Sequence, residues 1–428
     1  MISRLKSKLI APETRVSFVL VTALFLFWGI PNNLNDILIK QFMKSFELSR
    51  LQAGLIQSAF YLGYFLLAMP AAMIMRKYSY KVGLIIGMVL YSIGTFLFWP
   101  AAHSGQYIFF LAALFVIASG LSFLETGANP FIAGLGNPES SERRLNFSQA
   151  FNPFGAILGV LIGTIFIFSG IEHNQAKVEL MKQSGEYAAY LESETMRVVR
   201  PYMVLGVVIF LWALLIMRTK FPKITSEESK SENKGNPREL LKHRHFLTGV
   251  LAQFCYVGAQ VGTWSYFIQY SQDYTGIAEK TAGYFLTGTL VAFLIGRFSA
   301  TVIMKYIKPG KLMGIYAIAN ILLISVAVTY PGWVGVWSIF LSSFFMSLMF
   351  PTIFALGIKG LGINTKIAGS VIIMAIIGGG VFTPLMGLIA VKSMAIAMMV
   401  PLGCYCFITL YAFWWSVPRS LPESEIQL

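Results

Sequence analysis

Two carboxylates stand inside long apolar stretches of the sequence, where ionisable side chains are rare. The chain has only two aspartates, and Asp36 is the one embedded in such a stretch, while Glu125 occupies another. A carboxylate at the centre of a bilayer costs at least about 2.5 kcal/mol, so it normally faces a water-filled cavity and marks an ion or proton path. The alternative is structural, either a salt bridge between helices or a position near the membrane surface.

Amide side chains accompany both carboxylates at helical spacing, and two more, three residues apart, open a third apolar stretch. They are Asn32, Asn33, Asn129, Gln149 and Asn152. The first two precede Asp36 by one helical turn and the third follows Glu125 by four residues, so each group shares one helix face. A lone asparagine inside a membrane more often joins helices. Amides on three helices instead favour a hydrophilic cavity whose donors and acceptors suit the hydroxyls of a sugar.

The second half of the chain offers aromatic candidates and few polar ones. The substrate contacts that we predict there are Gln260, Trp264, Arg297 and Phe350. Trp264 lies four residues after Gln260, on the same helix face. Its indole is the best candidate for stacking on the C–H face of a sugar ring, although a single aromatic side chain more often packs in a core. Arg297 should pair with a carboxylate or with substrate oxygens, or anchor its helix near the membrane surface.

Composition places these residues in a membrane protein. The chain has 428 residues, of which 56% are hydrophobic and 12% charged, about half the charge of a soluble protein. Stretches of about 20 apolar residues predict bilayer-spanning helices. Twelve such stretches are present, at 16–42, 51–75, 82–101, 106–134, 146–170, 201–218, 247–271, 282–304, 312–330, 333–358, 367–390 and 394–416. The predicted fold is therefore an all-α membrane protein of about 12 transmembrane helices.

A polar segment divides the spans into two sets of six. We predict an N-terminal bundle at 1–217, a cytoplasmic linker at 218–246 and a C-terminal bundle at 247–428. Similar strings recur in the same order in both bundles, such as ETGANPFIAGLG in span 4 and MFPTIFALGIKGLG in span 10, which indicates an internal duplication. A short helix is expected around 185–194, and three glycines at 378–380 before Pro384 should let span 11 bend.

The distribution of basic residues predicts how the chain is oriented in the membrane. It also explains the positive charge without a nucleic-acid partner. About 23 of the 33 lysines and arginines fall in loops on the N-terminal side, which places both termini and the linker in the cytoplasm. The same bias explains the net charge of +14. Three cysteines do not form a disulfide framework, and the four histidines show no metal-ligand spacing. We expect no enzyme, metal or cofactor.

Longer strings resemble one family along nearly the whole chain. They are WGIPNNLNDIL (28–38), QAGLIQSAFYLGYF (52–65), FLETGANPF (123–131), LAQFCYVGAQ (251–260), FPTIFALGIKGLG (350–362) and IIGGGVFTPLMG (376–387). The chain thus resembles the L-fucose:proton symporter (fucose permease) family of the major facilitator superfamily. The resemblance implies uptake of a monosaccharide with a proton as the coupling ion, with Asp36 as the proton-coupling aspartate and Glu125 as a cavity glutamate that also contacts sugar. Its polar cavity positions match Asn33, Gln149 and Asn152.

One departure from the family pattern leaves the identity of the transported sugar undecided. Phe350 stands before Pro351 where the family pattern has tyrosine, so one cavity hydroxyl is missing. The alternatives are a sodium-coupled or uncoupled carrier of glucose, galactose or N-acetylglucosamine, and more remotely a membrane nutrient sensor that does not transport. In each case we expect a monomer in the cytoplasmic (inner) membrane, whose partners are the sugar and the lipid bilayer.

Overall fold

A computed structural model describes residues 12–135, 144, 147–171, 173–222, 237–304, 306–361 and 364–416. Within these residues, eleven helices are long and apolar enough to cross a membrane. They coincide with eleven of the twelve predicted spans, which confirms the all-α membrane fold. About half of the predicted linker at 218–246, residues 223–236, lies outside the described residues. The chain forms two units, the first comprising Met1–Glu47 and Ala59–Ser231, the second Leu48–Ser58 and Glu232–Leu428.

The first unit contains the N-terminal helices. They are α1 (Arg15–Ser45), α2 (Arg50–Lys77), α3 (Tyr80–Phe96), α4 (Phe98–Ser104), α5 (Tyr107–Gly134), α6 (Phe151–Ile162), α7 (Gln175–Ser184) and α8 (Tyr187–Arg218). A π-helical turn at Gly163–Ile167 continues α6. Only the first turns of α2, up to Ser58, belong to the second unit.

Small residues bring α1 and α6 into close contact. A Cβ atom at Gly155 would collide with the carbonyl oxygen of Leu26, and one at Gly159 with that of Ile30. The four-residue spacing of these glycines lines one helix face, and without side chains there the two backbones approach closely. This packing fixes α1, which carries Asp36, against α6, which carries Asn152.

One predicted loop element is wrong. Residues 187–194 are helical, but they do not form the separate short helix expected around 185–194, because Gly185, with φ of 78°, ends the preceding helix instead. The preceding helix α7 begins after Asn174, whose side chain accepts a hydrogen bond from the Lys177 backbone N–H. A glycine in the left-handed region ends it. The residues from Tyr187 onward are the first turns of α8, which is therefore much longer than the predicted span 201–218.

The second unit contains the remaining helices. They are α9 (Pro237–Leu240), α10 (Arg244–Ser265), α11 (Phe267–Thr275), α12 (Glu279–Ile303), α13 (Pro309–Thr329), α14 (Trp333–Met346), α15 (Met349–Ile358), α16 (Thr365–Met374), α17 (Gly378–Ala390), α18 (Met394–Ala397) and α19 (Met399–Leu410). A π-helical turn at Tyr411–Trp415 follows α19.

Two predicted spans of this unit are interrupted. The stretch 247–271 is divided at Tyr266 between α10 and α11. The stretch 367–390 contains a 3₁₀ turn at Ala375–Ile377, directly before the three glycines. Span 11 therefore changes helix type directly before its glycines. Gly378 also lets this helix approach α10 closely, since a Cβ there would collide with the Phe254 carbonyl oxygen. Bending during a transport cycle stays a prediction.

Hydrogen bonds explain why the first turns of α2 belong to the second unit. Gln57 Nε2 donates to Ser265 Oγ at 2.9 Å, and Ser58 Oγ donates to the Gly380 carbonyl oxygen at 2.6 Å. Arg50 forms an ion pair with Asp273. Asp273 follows the predicted span 247–271 in the sequence and lies in α11.

Candidate functional site

The two predicted carboxylates lie within transmembrane helices of the first unit. Asp36, on α1, is only 3% exposed, and Glu125, on α5, is half-buried. Both carboxylates interact electrostatically with the Tyr61 phenol on α2. Three helices of the unit therefore bring the two acidic groups and one phenol into the same region.

A chain of amides continues from Glu125. Asn129 Nδ2 donates to the Glu125 carbonyl oxygen at 3.1 Å, and Gln149 Nε2 donates to Asn129 Oδ1 at 3.1 Å. Gln149 is exposed and Asn129 is half-buried, so free donor and acceptor positions remain for a polar ligand. The structure thus joins three residues that the sequence singled out on two separate stretches.

The other predicted amide side chains also form hydrogen bonds. Asn33 Nδ2 donates to the Gly29 carbonyl oxygen at 3.3 Å, and Asn152 Nδ2 donates to the Phe25 carbonyl oxygen at 3.4 Å. The Asn152 contact joins α6 to α1, as intramembrane asparagine often does, whereas the Asn33 contact lies within α1. Asn32 differs, since its Oδ1 accepts a hydrogen bond from the Tyr64 hydroxyl at 3.4 Å.

Tyr61 and Tyr64 are residues of this region that the sequence reasoning missed. They lie one turn apart on α2, are 9% and 6% exposed, and their ring centroids are 6.2 Å apart. The available signal was two tyrosines at three-residue spacing in an apolar stretch. That spacing predicts a shared helix face, but it does not reveal which helix the face meets.

In the second unit, the predicted stacking residue is buried. Trp264 is 8% exposed, its Nε1 donates to Ser343 Oγ at 3.1 Å, and its ring meets that of Phe293 edge-on at 5.2 Å. Gln260 lies one turn earlier and is half-buried. These contacts hold the indole in one orientation, while its contact with a sugar stays a prediction.

Arg297 and Phe350 lie in the same unit around Tyr256. The Arg297 guanidinium lies 5.5 Å from the Phe293 ring centroid and interacts electrostatically with Tyr256. Among the described residues no carboxylate forms an ion pair with it, so the expected carboxylate partner is not found there. The Phe350 ring lies 6.3 Å from that of Tyr256. The Tyr256 hydroxyl is buried and has no hydrogen-bond partner in the described part of the chain.

The first unit therefore offers carboxylates that can take up and release a proton, beside amides that can bind hydroxyls. The second unit offers apolar ring faces, one guanidinium and one phenol. No group of three or more potential metal-ligating side chains occurs within the described ranges. The arrangement suits reversible binding of a polyhydroxylated molecule better than chemical conversion of it.

Comparison with known proteins agrees with this chemistry. Residues 16–361 match the Major Facilitator Superfamily. The L-fucose-proton symporter of Escherichia coli (strain K12) is 44% identical over 93% of this chain and 92% of its own length. The glucose/galactose transporter of Brucella abortus is 32% identical over 91% of this chain and 92% of its own length.

A solved structure shows the same fold. The crystal structure of the E. coli fucose:proton symporter aligns with a TM-score of 0.70 at 43% identity, covering 94% of this chain and 98% of that one. The sequence similarity and the shared fold extend over nearly the whole chain. The protein is therefore a member of the Major Facilitator Superfamily, within the family of the L-fucose:proton symporters.

Proposed function

We propose that this protein carries L-fucose or a related hexose together with a proton across the cytoplasmic (inner) membrane, by alternating access. The observation that carries the proposal is the position of Asp36 and Glu125 inside transmembrane helices of the first unit, where a hydrogen-bonded chain of Asn129 and Gln149 extends from Glu125. Two carboxylates in a membrane interior are costly unless they serve an ion or proton path. The E. coli and Haemophilus influenzae relatives, 44% and 33% identical, are both L-fucose-proton symporters.

The energetics of proton coupling suit sugar uptake. A membrane potential of 100 mV is worth about 2.3 kcal/mol for each charge. One proton driven by a total force of roughly 150 mV supplies about 3.5 kcal/mol, enough for accumulation of a few hundredfold at about 1.4 kcal/mol per decade. Net uptake needs a group that is protonated on one side and releases the proton on the other, with sugar favouring the protonated form.

The test is uptake of labelled L-fucose by purified protein in vesicles with an imposed pH gradient. We expect accumulation that an uncoupler abolishes and that persists when choline replaces sodium. Strict dependence on sodium would contradict proton coupling. The absence of any uptake, by a protein that still binds sugar, would instead support a sensor.

A second candidate substrate class is glucose and galactose. The Brucella abortus glucose/galactose transporter is 32% identical, and the aromatic ring of Phe350 brings no hydroxyl to the region of Tyr256. Competition of the labelled uptake by a panel of monosaccharides distinguishes the two. L-fucose should compete at the lowest concentration. Stronger competition by galactose or glucose would show that the protein is a glucose/galactose carrier.

Orientation is part of the same proposal. The excess of lysine and arginine in the loops on the N-terminal side supports cytoplasmic termini and a cytoplasmic linker. Labelling of single introduced cysteines with an impermeant reagent tests it in intact cells. A cysteine introduced near Glu239 should react only after the cells are permeabilised, whereas one introduced near Glu179 should react in intact cells.

A further inference from the structure

Helix α1 contains a proline, Pro31, five residues before Asp36. Proline has no backbone N–H, so the helical hydrogen bond to the carbonyl oxygen four residues earlier, that of Phe27, cannot form. Inside a membrane no water replaces such a bond, and a neighbouring helix has to supply the donor. The Tyr91 hydroxyl of α3 does so, since it donates to the Phe27 carbonyl oxygen at 3.1 Å. A fully buried phenol thus completes the backbone of the helix that carries Asp36.

Two further side chains bond to the same stretch of backbone. Asn152 Nδ2 of α6 donates to the Phe25 carbonyl oxygen at 3.4 Å, and Asn33 Nδ2 donates to the Gly29 carbonyl oxygen at 3.3 Å. Together with the Tyr91 contact, three alternate carbonyl groups before the proline accept bonds from side chains. The two asparagines are predicted sugar contacts, so a sugar that binds them competes for their donors. The Tyr91 contact is the one that persists when sugar is bound.

Both ends of α1 are held against α8. Trp212 Nε1 donates to the Leu20 carbonyl oxygen at 3.1 Å near the beginning of α1. Near its end, Gln41 Nε2 donates to the Glu194 carbonyl oxygen at 2.9 Å and to Glu194 Oε2 at 3.0 Å. With the ends fixed, the course of the helix between them depends on Pro31, because a proline bends a helix at the hydrogen bond that it removes. The carboxylate that follows the proline moves with this bend.

The contact between α3 and the freed carbonyl therefore bears on the proton site. Resting on the proposed proton-coupled function, we propose that Tyr91 is a positioning residue for Asp36, because its hydroxyl replaces the hydrogen bond that Pro31 cannot make and so fixes the bend of α1. Tyr91 acts through the backbone and not on the sugar or the proton. Without its hydroxyl the Phe27 carbonyl oxygen loses this donor and α1 takes another bend. Asp36 then leaves the place at which its protonation responds to sugar bound by the nearby amides.

Loss and replacement of the donor can be separated. Tyr91→Phe keeps the ring and removes the hydroxyl. Pro31→Ala restores a backbone N–H that can bond to the Phe27 carbonyl oxygen, so the hydroxyl becomes dispensable in the double variant. Tyr202→Phe is the matched control, because Tyr202 is fully buried in the same unit and its hydroxyl has no hydrogen-bond partner in the part of the chain that the structure describes.

The experiment compares these four variants with the wild type in vesicles. The measurements are pH-driven accumulation of L-fucose, sugar exchange at equal pH on both sides, and the pH midpoint of that exchange. Tyr91→Phe should lower accumulation by about fivefold or more, the equivalent of the 1 kcal/mol that a hydrogen bond contributes. It should also shift the pH midpoint, while exchange at the optimal pH stays within about twofold. Adding Tyr91→Phe to Pro31→Ala should change each quantity by less than about twofold, and Tyr202→Phe should change none.

Several results would overturn the assignment. One is wild-type accumulation with an unchanged pH midpoint in Tyr91→Phe. Another is an equal loss when Tyr91→Phe is added to Pro31→Ala, since the hydroxyl would then act on a group other than the Phe27 carbonyl. Parallel loss of accumulation and exchange with an unchanged pH midpoint would make Tyr91 a purely structural residue. If Tyr91→Phe does not fold, Pro31→Ala decides alone, because the restored backbone bond should itself change the bend and shift the midpoint, and an unchanged midpoint would contradict the proposal.

Failure of the proposed function is recognised separately, because the wild type itself would then show no accumulation driven by the pH gradient. Thermal unfolding in detergent still tests the contact in that case. Tyr91→Phe should lower the unfolding midpoint of the wild type more than that of Pro31→Ala, and equal shifts would show that the hydroxyl does not replace the missing backbone donor.

Discussion

Gln149 donates a hydrogen bond from Nε2 to Asn129 Oδ1 at 3.1 Å, although the two residues are twenty positions apart. Asn129 in turn donates to the backbone of Glu125. An exposed amide is thus linked in two steps to the residue that carries a membrane carboxylate. Because a sugar hydroxyl both donates and accepts hydrogen bonds, such a chain provides a polar surface against which it can bind.

Asp36→Asn tests the mechanism of coupling. Asparagine imitates the protonated carboxyl and cannot titrate, so the loaded carrier should still alternate. We expect loss of uphill uptake and of sugar-induced alkalinisation, with sugar exchange retained in preloaded vesicles. Full pH-driven accumulation by the variant would remove Asp36 from the proton path. Loss of exchange as well would make it a structural or binding residue.

Glu125 is expected to bind sugar as well as a proton. Glu125→Ala should abolish sugar binding, whereas Glu125→Gln should retain part of it because an amide preserves some hydrogen bonds. Isothermal titration with L-fucose measures both. The exposed Glu192→Gln on α8 is the control and should bind like the wild type. Equal affinities of the wild type and the alanine variant would show that Glu125 is structural.

Trp264→Ala should weaken apparent sugar affinity by roughly 1–2 kcal/mol, the size of a lost aromatic contact. Trp264→Phe should lose less, since a ring face remains. Ser343→Ala removes the hydrogen bond to the indole N–H and should lower affinity only slightly. The measurement is the concentration of L-fucose that gives half-maximal binding. A much smaller amount of folded protein with unchanged affinity would instead assign Trp264 to packing.

The contact between α1 and α6 predicts a stability effect. Gly155→Ala forces a methyl group against the Leu26 carbonyl oxygen and should lower the free energy of unfolding by about 1–3 kcal/mol, as overpacking does. At Gly403, in α19, a Cβ would meet nothing within 4 Å, so Gly403→Ala is the matched control and should be neutral or stabilising. Thermal unfolding in detergent distinguishes them, and equal midpoints would contradict the close packing.

Glu47 predicts a local dependence on acid pH. A hydrogen bond from the Tyr187 hydroxyl and the nearby Lys182 ammonium lower the pKa of Glu47 below its ordinary value of 4.5. A lowered pKa means that ionised Glu47 stabilises the contact with α7 and α8 above pH 4.5, and that this contribution disappears as pH falls through the lowered pKa. Hydrogen exchange of the α7 amides, corrected for intrinsic rates, should accelerate there.

The control for that measurement is Glu47→Gln, which cannot titrate. Its α7 amides should exchange faster than those of the wild type near neutral pH and show no further change on acidification. Because Glu47 and Lys182 are both about half exposed, the effect should be confined to this contact. Acid acceleration in the variant equal to that of the wild type would assign it to another group.

The helical membrane fold and the identity of the main polar residues could be predicted from the sequence alone. Apolar stretches about 20 residues long and the rarity of carboxylates within them follow from the cost of placing polar groups in a bilayer, and this cost acts on each helix separately. The same reasoning did not separate the helices near 185–194, because the Asn174 side chain decides where α7 begins and the left-handed Gly185 decides where it ends.

The contacts between side chains of different helices could not be predicted in this way. Periodicity gives the face of a helix but not the neighbour that the face contacts, so Tyr61 carried no signal until α2 was packed against α1 and α5. The same holds for Arg50, whose ion pair with Asp273 joins residues more than two hundred positions apart. Such contacts depend on how close two backbones come, and that distance is set by the bulk of side chains on both helices, as the glycines of α6 demonstrate.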